Sequence, residues 1–226
     1  VPSMETYENI KKGKYTLSKL KQRYQDAALP DYEIINLNNT KREKQTWLSK
    51  KIIEKVSYHL EKKDQVLFFL NRRGFSPSVI CNKCFNTFAC PNCSINLVYH
   101  KFKNTLLCHY CGFKSSLNRD CSKQGKCEFL FSGPGVERIL DEVKKNFPSK
   151  KTEIFSSDTM NKKDSLKKLD KIYNNQTEIL IGTQLISKGF HFPNLNCIVV
   201  VDTDLSSQGH DLRCAEKNLQ LYHQLS

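Results

Sequence analysis

The sequence predicts an α/β protein in which a parallel sheet is interrupted by a cysteine-rich insertion. Short apolar runs, typical of buried parallel strands, alternate with stretches whose apolar residues recur at helical spacing. This alternation predicts parallel strands joined by right-handed crossovers through helices. Eight of the ten cysteines fall in residues 81–127, between the end of one predicted strand and the next element. The cysteine region is therefore an insertion rather than a linker.

The individual elements follow from the same two periodicities. Strands are predicted at residues 32–37, 65–70, 128–131, 154–155, 178–181 and 198–201. Helices are predicted at residues 46–60, 136–147 and 164–173, because each carries its apolar residues on one face. A weaker helical pattern runs through Tyr15, Leu17, Leu20 and Tyr24 and ends before Pro30. With 226 residues, the chain has room for one ordinary α/β domain and a smaller module.

The cysteine spacing predicts metal binding. Three C-x-x-C pairs and a looser fourth pair occur within residues 81–127, and this is the ligand spacing of tetrahedral zinc sites. The chain starts with a polar segment rather than a signal peptide, which favours a reducing, cytoplasmic location and metal over disulfides. Eight sulfurs would fill two structural sites, or one full site and one defective site. A closed four-sulfur site leaves no coordination position for catalysis, so we expect a structural role.

The charge balance predicts a polyanionic partner. The formal net charge is +13 and the isoelectric point is about 9.2, which favours nucleic acid. A lysine-rich genomic composition is the alternative explanation, but it would not by itself create such an excess over acidic residues. No run of eighteen apolar residues exists, so a membrane span is not expected. The first residue is valine, which indicates either an unusual start codon or a piece of a longer chain.

Polar residues follow two of the predicted strands at the point where each strand ends. Parallel sheets bind ligands at the carboxyl ends of their strands, and exposed amides at such turns can contact phosphates. For the pair Arg72 and Arg73, a solvated loop is the alternative interpretation. Asn71, Arg72 and Arg73 follow the run at 65–70. The run at 178–181 is followed by Gly182, Thr183, Gln184, Lys188 and Gly189.

These motifs together carry a family resemblance. The FLNRRGF motif at 69–75, the cysteine array, IGTQ at 181–184 and KGFHFP at 188–193 occur in this order along the chain. With them, the chain resembles the PriA-like primosomal (replication restart) DNA helicases of superfamily two. The resemblance implies a parallel-sheet, RecA-like helicase lobe with an inserted cysteine-rich double-zinc module. It assigns residues 1–36 to the tail of a first helicase lobe, residues 37–80 and 128–226 to a C-terminally truncated second lobe, and residues 81–127 to the zinc-binding insert.

The resemblance also implies roles for single residues. It places the polar residues at the two strand ends on motifs that contact the DNA backbone and the cleft between lobes. It implies one zinc ion on Cys90, Cys93, Cys108 and Cys111, and a second on Cys81, Cys84, Cys121 and a fourth cysteine. The family places that fourth cysteine where this chain has Gln124. We expect Cys127, three residues further on, to replace it.

The implied function is part of an ATP-dependent DNA helicase that restarts stalled replication forks. The expected partners are single-stranded or forked DNA, primosome proteins and a first helicase lobe, with no membrane partner. ATP and magnesium are expected only in the complete helicase, because this chain has no Walker A motif, no Asp-Glu-x-His motif and no arginine-finger motif. No catalytic residue is therefore assigned, and the chain alone is not expected to hydrolyse ATP. The alternative is a non-enzymatic zinc-dependent DNA- or protein-binding fragment left by gene decay.

Overall fold

The computed structural model describes residues 2–19, 29–40, 46–71, 78–81, 83–84, 86–100, 103–117, 120–121, 125–132, 135–155, 162–187, 190–201, 203 and 213–225. The α-helices within these ranges are α1 (Met4–Lys11), α2 (Lys50–Glu61), α3 (Val136–Asn146), α4 (Lys162–Tyr173) and α5 (Cys214–Leu225). The strands are β1 (Gln65–Leu70), β2 (Ser78–Cys81), β3 (Val98–His100), β4 (Thr105–Leu107), β5 (Lys114–Ser115), β6 (Phe129–Ser132), β7 (Thr152–Phe155), β8 (Ile179–Gly182) and β9 (Leu195–Val201).

A four-stranded parallel sheet forms the centre of the larger unit. Its strand order is β7-β8-β1-β9, so the first strand in sequence is enclosed between the last two. All six residues of β1 are buried, as its continuous apolar run predicts for a strand covered on both faces. Phe68 packs in the core beneath α2 and α3, whereas its neighbours Leu67 and Phe69 pack in the core beneath α4 and α5. The unit is therefore a three-layer helix–sheet–helix arrangement.

The start of α2 is set by hydrogen bonds that the apolar pattern does not reveal. The helix was expected from residue 46 but begins at Lys50. Ser49 is its N-cap and accepts a hydrogen bond from the Ile52 amide at 3.4 Å. The preceding amides of Trp47 and Leu48 instead donate to the Glu142 carboxylate of α3 at 2.9 to 3.0 Å. These contacts hold residues 47–48 against α3 and outside the helix.

The cysteine region leaves the parallel sheet after β1 and returns before α3. Strands β2 and β6 pair antiparallel, and β3, β4 and β5 form a separate antiparallel sheet. The region has its own core, which includes Val79, Leu97 and Leu106. The antiparallel pair extends outside residues 81–127, because Ser78 lies opposite Ser132. The strand predicted at 128–131 is thus part of the insertion and not of the parallel sheet.

The amino-terminal region differs from the sequence-based expectation. The strand predicted at 32–37 is wrong: these residues join no sheet, and Ile34 is 96% exposed. Glu33 instead forms ion pairs with Lys51 and Lys55 of α2. The helix expected around residues 15–24 is absent from the described part, 15–19, and the rest lies outside the described residues.

Helices α1 and α5 were not predicted from the sequence. Helix α1 is capped by Ser3, whose hydroxyl accepts from the Thr6 amide at 3.2 Å. It contacts the beginning of α5, where Glu5 pairs with Arg213 and the Met4 amide donates to Glu216 at 3.2 Å. Among the described helices, none is long and apolar enough to cross a membrane.

Candidate metal centres and nucleic-acid interface

The structure gathers eight cysteine sulfurs into two groups of four. Cluster A is Cys81, Cys84, Cys121 and Cys127, and cluster B is Cys90, Cys93, Cys108 and Cys111. Within each cluster, the four sulfurs lie within 4.8 Å of one another. Cluster B combines two C-x-x-C pairs, and cluster A combines one C-x-x-C pair with the more widely spaced Cys121 and Cys127, so each could hold a metal ion only in the folded chain.

The sulfur separations fit a tetrahedral metal site. Zinc–sulfur bonds of about 2.3 Å at tetrahedral angles place neighbouring sulfurs about 3.8 Å apart. In cluster A, the sulfurs of Cys81 and Cys121 are 3.9 Å apart. In cluster B, the Cys93 sulfur is 3.4 Å from that of Cys108 and 3.6 Å from that of Cys111. Thiolates are ligands that zinc prefers, so the donor set and its spacing both fit this ion.

The C-x-x-C pairs share one backbone conformation. The amides of Cys81, Cys90 and Cys108 each donate to the carbonyl five residues later, at 2.8 to 3.1 Å. In two of these turns the residue after the second cysteine has a positive φ, which is 54° at Ser94 and 77° at Gly112. The turns therefore hold both sulfurs of a pair on one side of the loop.

Backbone amides in these turns favour the thiolate form. The pKa of Cys108 is lowered to about 6, chiefly by hydrogen bonds from the Cys111 and Tyr110 amides. Burial raises the pKa of Cys81, but amides of Cys84 and Lys83 outweigh it, so that this pKa also falls to about 6.

The other two perturbed thiols move in the opposite direction. A hydrogen bond with Cys108 raises the pKa of Cys93 to about 12, and burial adds to this shift. Burial is the largest cause that raises the pKa of Cys127 to about 12, and a hydrogen bond with Cys81 adds to the shift. In the absence of metal, each cluster therefore shares protons among its sulfurs, and a bound cation would displace those protons.

The fourth sulfur of cluster A belongs to Cys127, at the end of a longer loop. The Cys121 amide donates to the Gly125 carbonyl, four residues later, and Gly125 has a φ of 63°. A bridge between Asp120 and Lys126 then closes the loop and brings Cys127 back to the cluster. Gln124, where the family resemblance implies a cysteine, lies outside the described residues.

The second candidate site lies at the carboxyl edge of the parallel sheet. Strands β8 and β1 are neighbours in register, with Phe69 opposite Gly182. Gln184 follows β8, and its Nε2 donates to Asn71 Oδ1, just after β1, at 2.6 Å. Asn71 Nδ2 in turn donates to Asn218 Oδ1 of α5 at 2.7 Å. Three carboxamides from separate parts of the sequence thus form one hydrogen-bonded row.

The turn after β8 is held tightly beneath this row. Thr183 is buried, and its amide donates to the Phe155 carbonyl at 3.4 Å. The Ile186 amide closes the turn on the Thr183 carbonyl at 3.0 Å. Gly182 is required here because a Cβ would lie 2.8 Å from Cγ2 of Ile186. The compact turn leaves Gln184 exposed at the sheet edge.

The comparisons with known proteins match both parts of this architecture. Residues 90–115 match the family model of the PriA DNA helicase Cys-rich region domain, a zinc ribbon. Residues 120–226 match the helicase conserved C-terminal domain. The replication restart protein PriA of Rickettsia felis is 43% identical over 226 residues, which cover 99% of this chain and 35% of that protein. The chain resembles the PriA proteins over 99% of its length.

More distant PriA proteins align just as completely. The replication restart protein PriA of Haemophilus influenzae is 35% identical, and the alignment covers 100% of this chain and 31% of that protein. The corresponding protein of Bacillus subtilis is 33% identical, with 100% of this chain and 28% of that protein covered. The chain spans about a third of the length of the curated PriA relatives it matches.

The expected fold class is confirmed. The chain is α/β with a parallel sheet, matches the helicase C-terminal domain, and carries an inserted cysteine-rich module able to bind metal. The zinc-ribbon match covers all four cysteines of cluster B. Cluster A is completed by Cys121 and Cys127, which lie in the helicase match.

The structure brings together only part of the predicted DNA-contacting set. Asn71, Gly182, Thr183 and Gln184 lie at the carboxyl edge of β1 and β8. Four further predicted residues lie outside the described residues: Arg72, Arg73, Lys188 and Gly189. The structure also adds Asn218, which the sequence reasoning missed. Leu221 and Leu225 recur at helical spacing and could have revealed α5, but nothing in the sequence marks Asn218 itself.

The aromatic residues of the insertion divide between packing and exposure. Phe88 and Tyr99 are buried in the module core, and Phe113 packs against that core. Tyr110 lies in the second C-x-x-C turn of cluster B and is 80% exposed. Phe85 and Phe102 lie outside the described residues. Most of the described aromatics therefore stabilise the module rather than present a binding surface.

Proposed function

We propose that this chain works as the second motor lobe of a PriA-like, ATP-dependent DNA helicase that restarts stalled replication forks. In this role the carboxyl edge of the parallel sheet contacts single-stranded DNA, and clusters A and B each hold one structural zinc ion. The observation that carries the proposal is the meeting of Asn71 and Gln184 at 2.6 Å, because they come from strand ends 113 residues apart. Parallel sheets present ligand-binding residues at this edge.

The chemistry of ATP hydrolysis would be supplied by another lobe. Phosphoryl transfer requires a phosphate-binding loop with its lysine, a magnesium-binding carboxylate and an arginine finger in one cleft. The chain contains no G-x-x-x-x-G-K-[S/T] sequence. Its contribution is therefore to bind and orient DNA, while ATP and magnesium act in the complete helicase.

The zinc ions would act on the fold of the inserted module. Zinc held by four thiolates has no open position for substrate, and its binding free energy stabilises the fold. From the strand pairing we propose that the module spans residues 78–132, since β2 and β6 join its two ends. In the complete helicase this module would contact forked DNA and primosome proteins.

The proposal is tested with the purified chain in three measurements. Metal analysis should find about two zinc ions per chain. Fluorescence anisotropy with labelled oligo(dT) should show binding that weakens as salt rises, because Lys and Arg side chains displace counterions from phosphates. ATP turnover should stay at background with or without DNA.

A matched pair of variants tests the DNA-contacting edge. Gln184→Ala should weaken oligo(dT) binding several-fold. Gln176 is an exposed glutamine on the turn before β8, so Gln176→Ala should leave the affinity unchanged. Equal affinities for Gln184→Ala and the unmodified chain would contradict the assignment of the edge. DNA-dependent ATP turnover by the chain alone would contradict the division of roles between lobes.

A further inference from the structure

Asn218 links a buried helix position to the exposed edge of the sheet. Its side chain is 7% exposed, and its Oδ1 accepts a hydrogen bond from Asn71 Nδ2 at 2.7 Å. Asn71 then accepts from Gln184 Nε2 at 2.6 Å. Asn71 thus uses both ends of its carboxamide, one for the helix and one for the turn after β8. This arrangement fixes which end of Asn71 faces Gln184.

The helix that carries Asn218 is itself firmly anchored. Leu221, one turn further along α5, is buried in the core beneath the sheet. At the other end of the helix, Glu216 accepts from the Met4 amide of α1, and Arg213 pairs with Glu5. Because these contacts lie on both sides of Asn218, its carboxamide has a fixed position relative to β1.

We propose that Asn218 is a positioning residue that orients the exposed Gln184 side chain through Asn71. The inference rests on the proposed function, in which Gln184 contacts single-stranded DNA. An exposed glutamine samples many rotamers, and ordering it before DNA arrives removes part of the entropic cost of binding. The hydrogen bond to Asn71 uses one N–H of Gln184 Nε2, and the second N–H of the same nitrogen can donate to a DNA phosphate oxygen.

The polarity of the row gives the proposal a specific test. Asn218 contributes only an acceptor to Asn71, so Asn218→Asp retains the hydrogen bond whereas Asn218→Leu removes it at similar side-chain volume. Asn218→Ala removes the same acceptor without added bulk and serves if the leucine variant does not fold. Leu219→Ala, a half-exposed position on the same helix, is the control for general damage to α5.

The first readout is the Gln184 side-chain amide in the ¹⁵N NMR spectrum of the full chain without DNA. Asn218→Leu or Asn218→Ala should shift and narrow this signal as the side chain becomes mobile, and Asn218→Asp should leave it near its original position. The second readout is oligo(dT) affinity, which should fall about two- to tenfold in the leucine and alanine variants. Leu219→Ala should change neither, and circular dichroism of each variant verifies that the helices and the sheet are folded.

Two results would overturn the positioning role. One is a Gln184 amide signal that is identical in the original chain and in Asn218→Leu or Asn218→Ala. The other is an Asn218→Asp signal displaced as far as that of Asn218→Leu, since a merely structural residue would not be rescued by an acceptor. If the original chain fails to bind DNA, the proposed function fails, and the amide signals alone still decide whether Asn218 positions Gln184.

Discussion

Gly182 shows how a single residue determines the geometry of the edge site. The buried side chain of Ile186 packs directly over its backbone, where a Cβ would come within 2.8 Å of Cγ2. Ile186 is β-branched and enclosed by the core, so it cannot move aside freely. The turn that presents Gln184 can therefore form only because residue 182 has no side chain.

Gly182→Ala is expected to destabilise the chain by about 1–3 kcal/mol, the usual cost of overpacking a buried site. Urea unfolding monitored by circular dichroism would measure this change. The double variant Gly182→Ala with Ile186→Ala should lose less stability than the sum of the two single variants, because the second change removes the clash. Strictly additive effects would show that the two residues do not compete for the same space.

At the scale of elements, the C-x-x-C turns depend on a backbone conformation that most residues avoid. Gly112 has a φ of 77°, and no atom lies within 4 Å of where its Cβ would be. The cost of a side chain there is therefore purely conformational. Ser94 occupies the equivalent position of the other cluster B turn at a φ of 54°.

Gly112→Ala should weaken zinc binding at cluster B about 5- to 30-fold, because a left-handed residue costs about 1–2 kcal/mol and metal binding is coupled to folding of the turn. Competition with a chromophoric zinc chelator would measure the affinity. Ser94→Gly is the matched control, since it removes a side chain from the same conformation and should not weaken binding. An unchanged zinc affinity for Gly112→Ala would contradict this account of the turn.

The elements that the sequence predicts well are those whose pattern reflects burial. The run Gln65–Leu70 is apolar because both faces of β1 are covered, and it forms a strand with the predicted bounds. The run at 32–37 looks similar, but Glu33 is held by two lysines of α2 and Ile34 remains exposed. A short apolar run does not show whether the rest of the chain leaves it a place in the sheet.

The two candidate sites also differ in how well the sequence predicts them. Cysteine spacing marks Cys90 and Cys93 as a metal-binding pair, because two residues between the thiols let one turn bring both sulfurs to one ion. The row at the sheet edge has no such local signal, since Asn71 and Asn218 are 147 residues apart and meet only through the packing of α5. Asn218 could therefore be assigned to this row only from the structure.

At the scale of the whole molecule, the insertion and the parallel-sheet unit have separate cores. Among the described residues, the core around Leu97 and Leu106 shares no buried member with the two cores that flank the parallel sheet. Strands β2 and β6 join the insertion to the rest of the chain. Loss of metal should therefore unfold the insertion while the parallel sheet persists.

Acid provides a graded way to remove the metal, and the sign follows from the thiol pKa values. Cys81 and Cys108 have pKa values of about 6 in the metal-free fold, below the usual thiol value of about 8.5. Their thiolates favour the folded module above the usual value, and this contribution is lost as the pH falls through about 6. Cys93 and Cys127, with pKa values of about 12, stay protonated throughout this range in the metal-free fold, so a metal ion must displace their protons at every pH considered.

We therefore expect zinc to be retained from pH 8 down to about pH 6 and to be released below it, since protons compete with the metal for thiolates. Release measured with a chromophoric chelator should coincide with loss of amide protection in β3 and β4. Amides of β1 and β8 should stay protected over the same range, because their core contains no cysteine ligand. Simultaneous loss of protection in both units would show that the insertion and the parallel sheet fold as one cooperative unit.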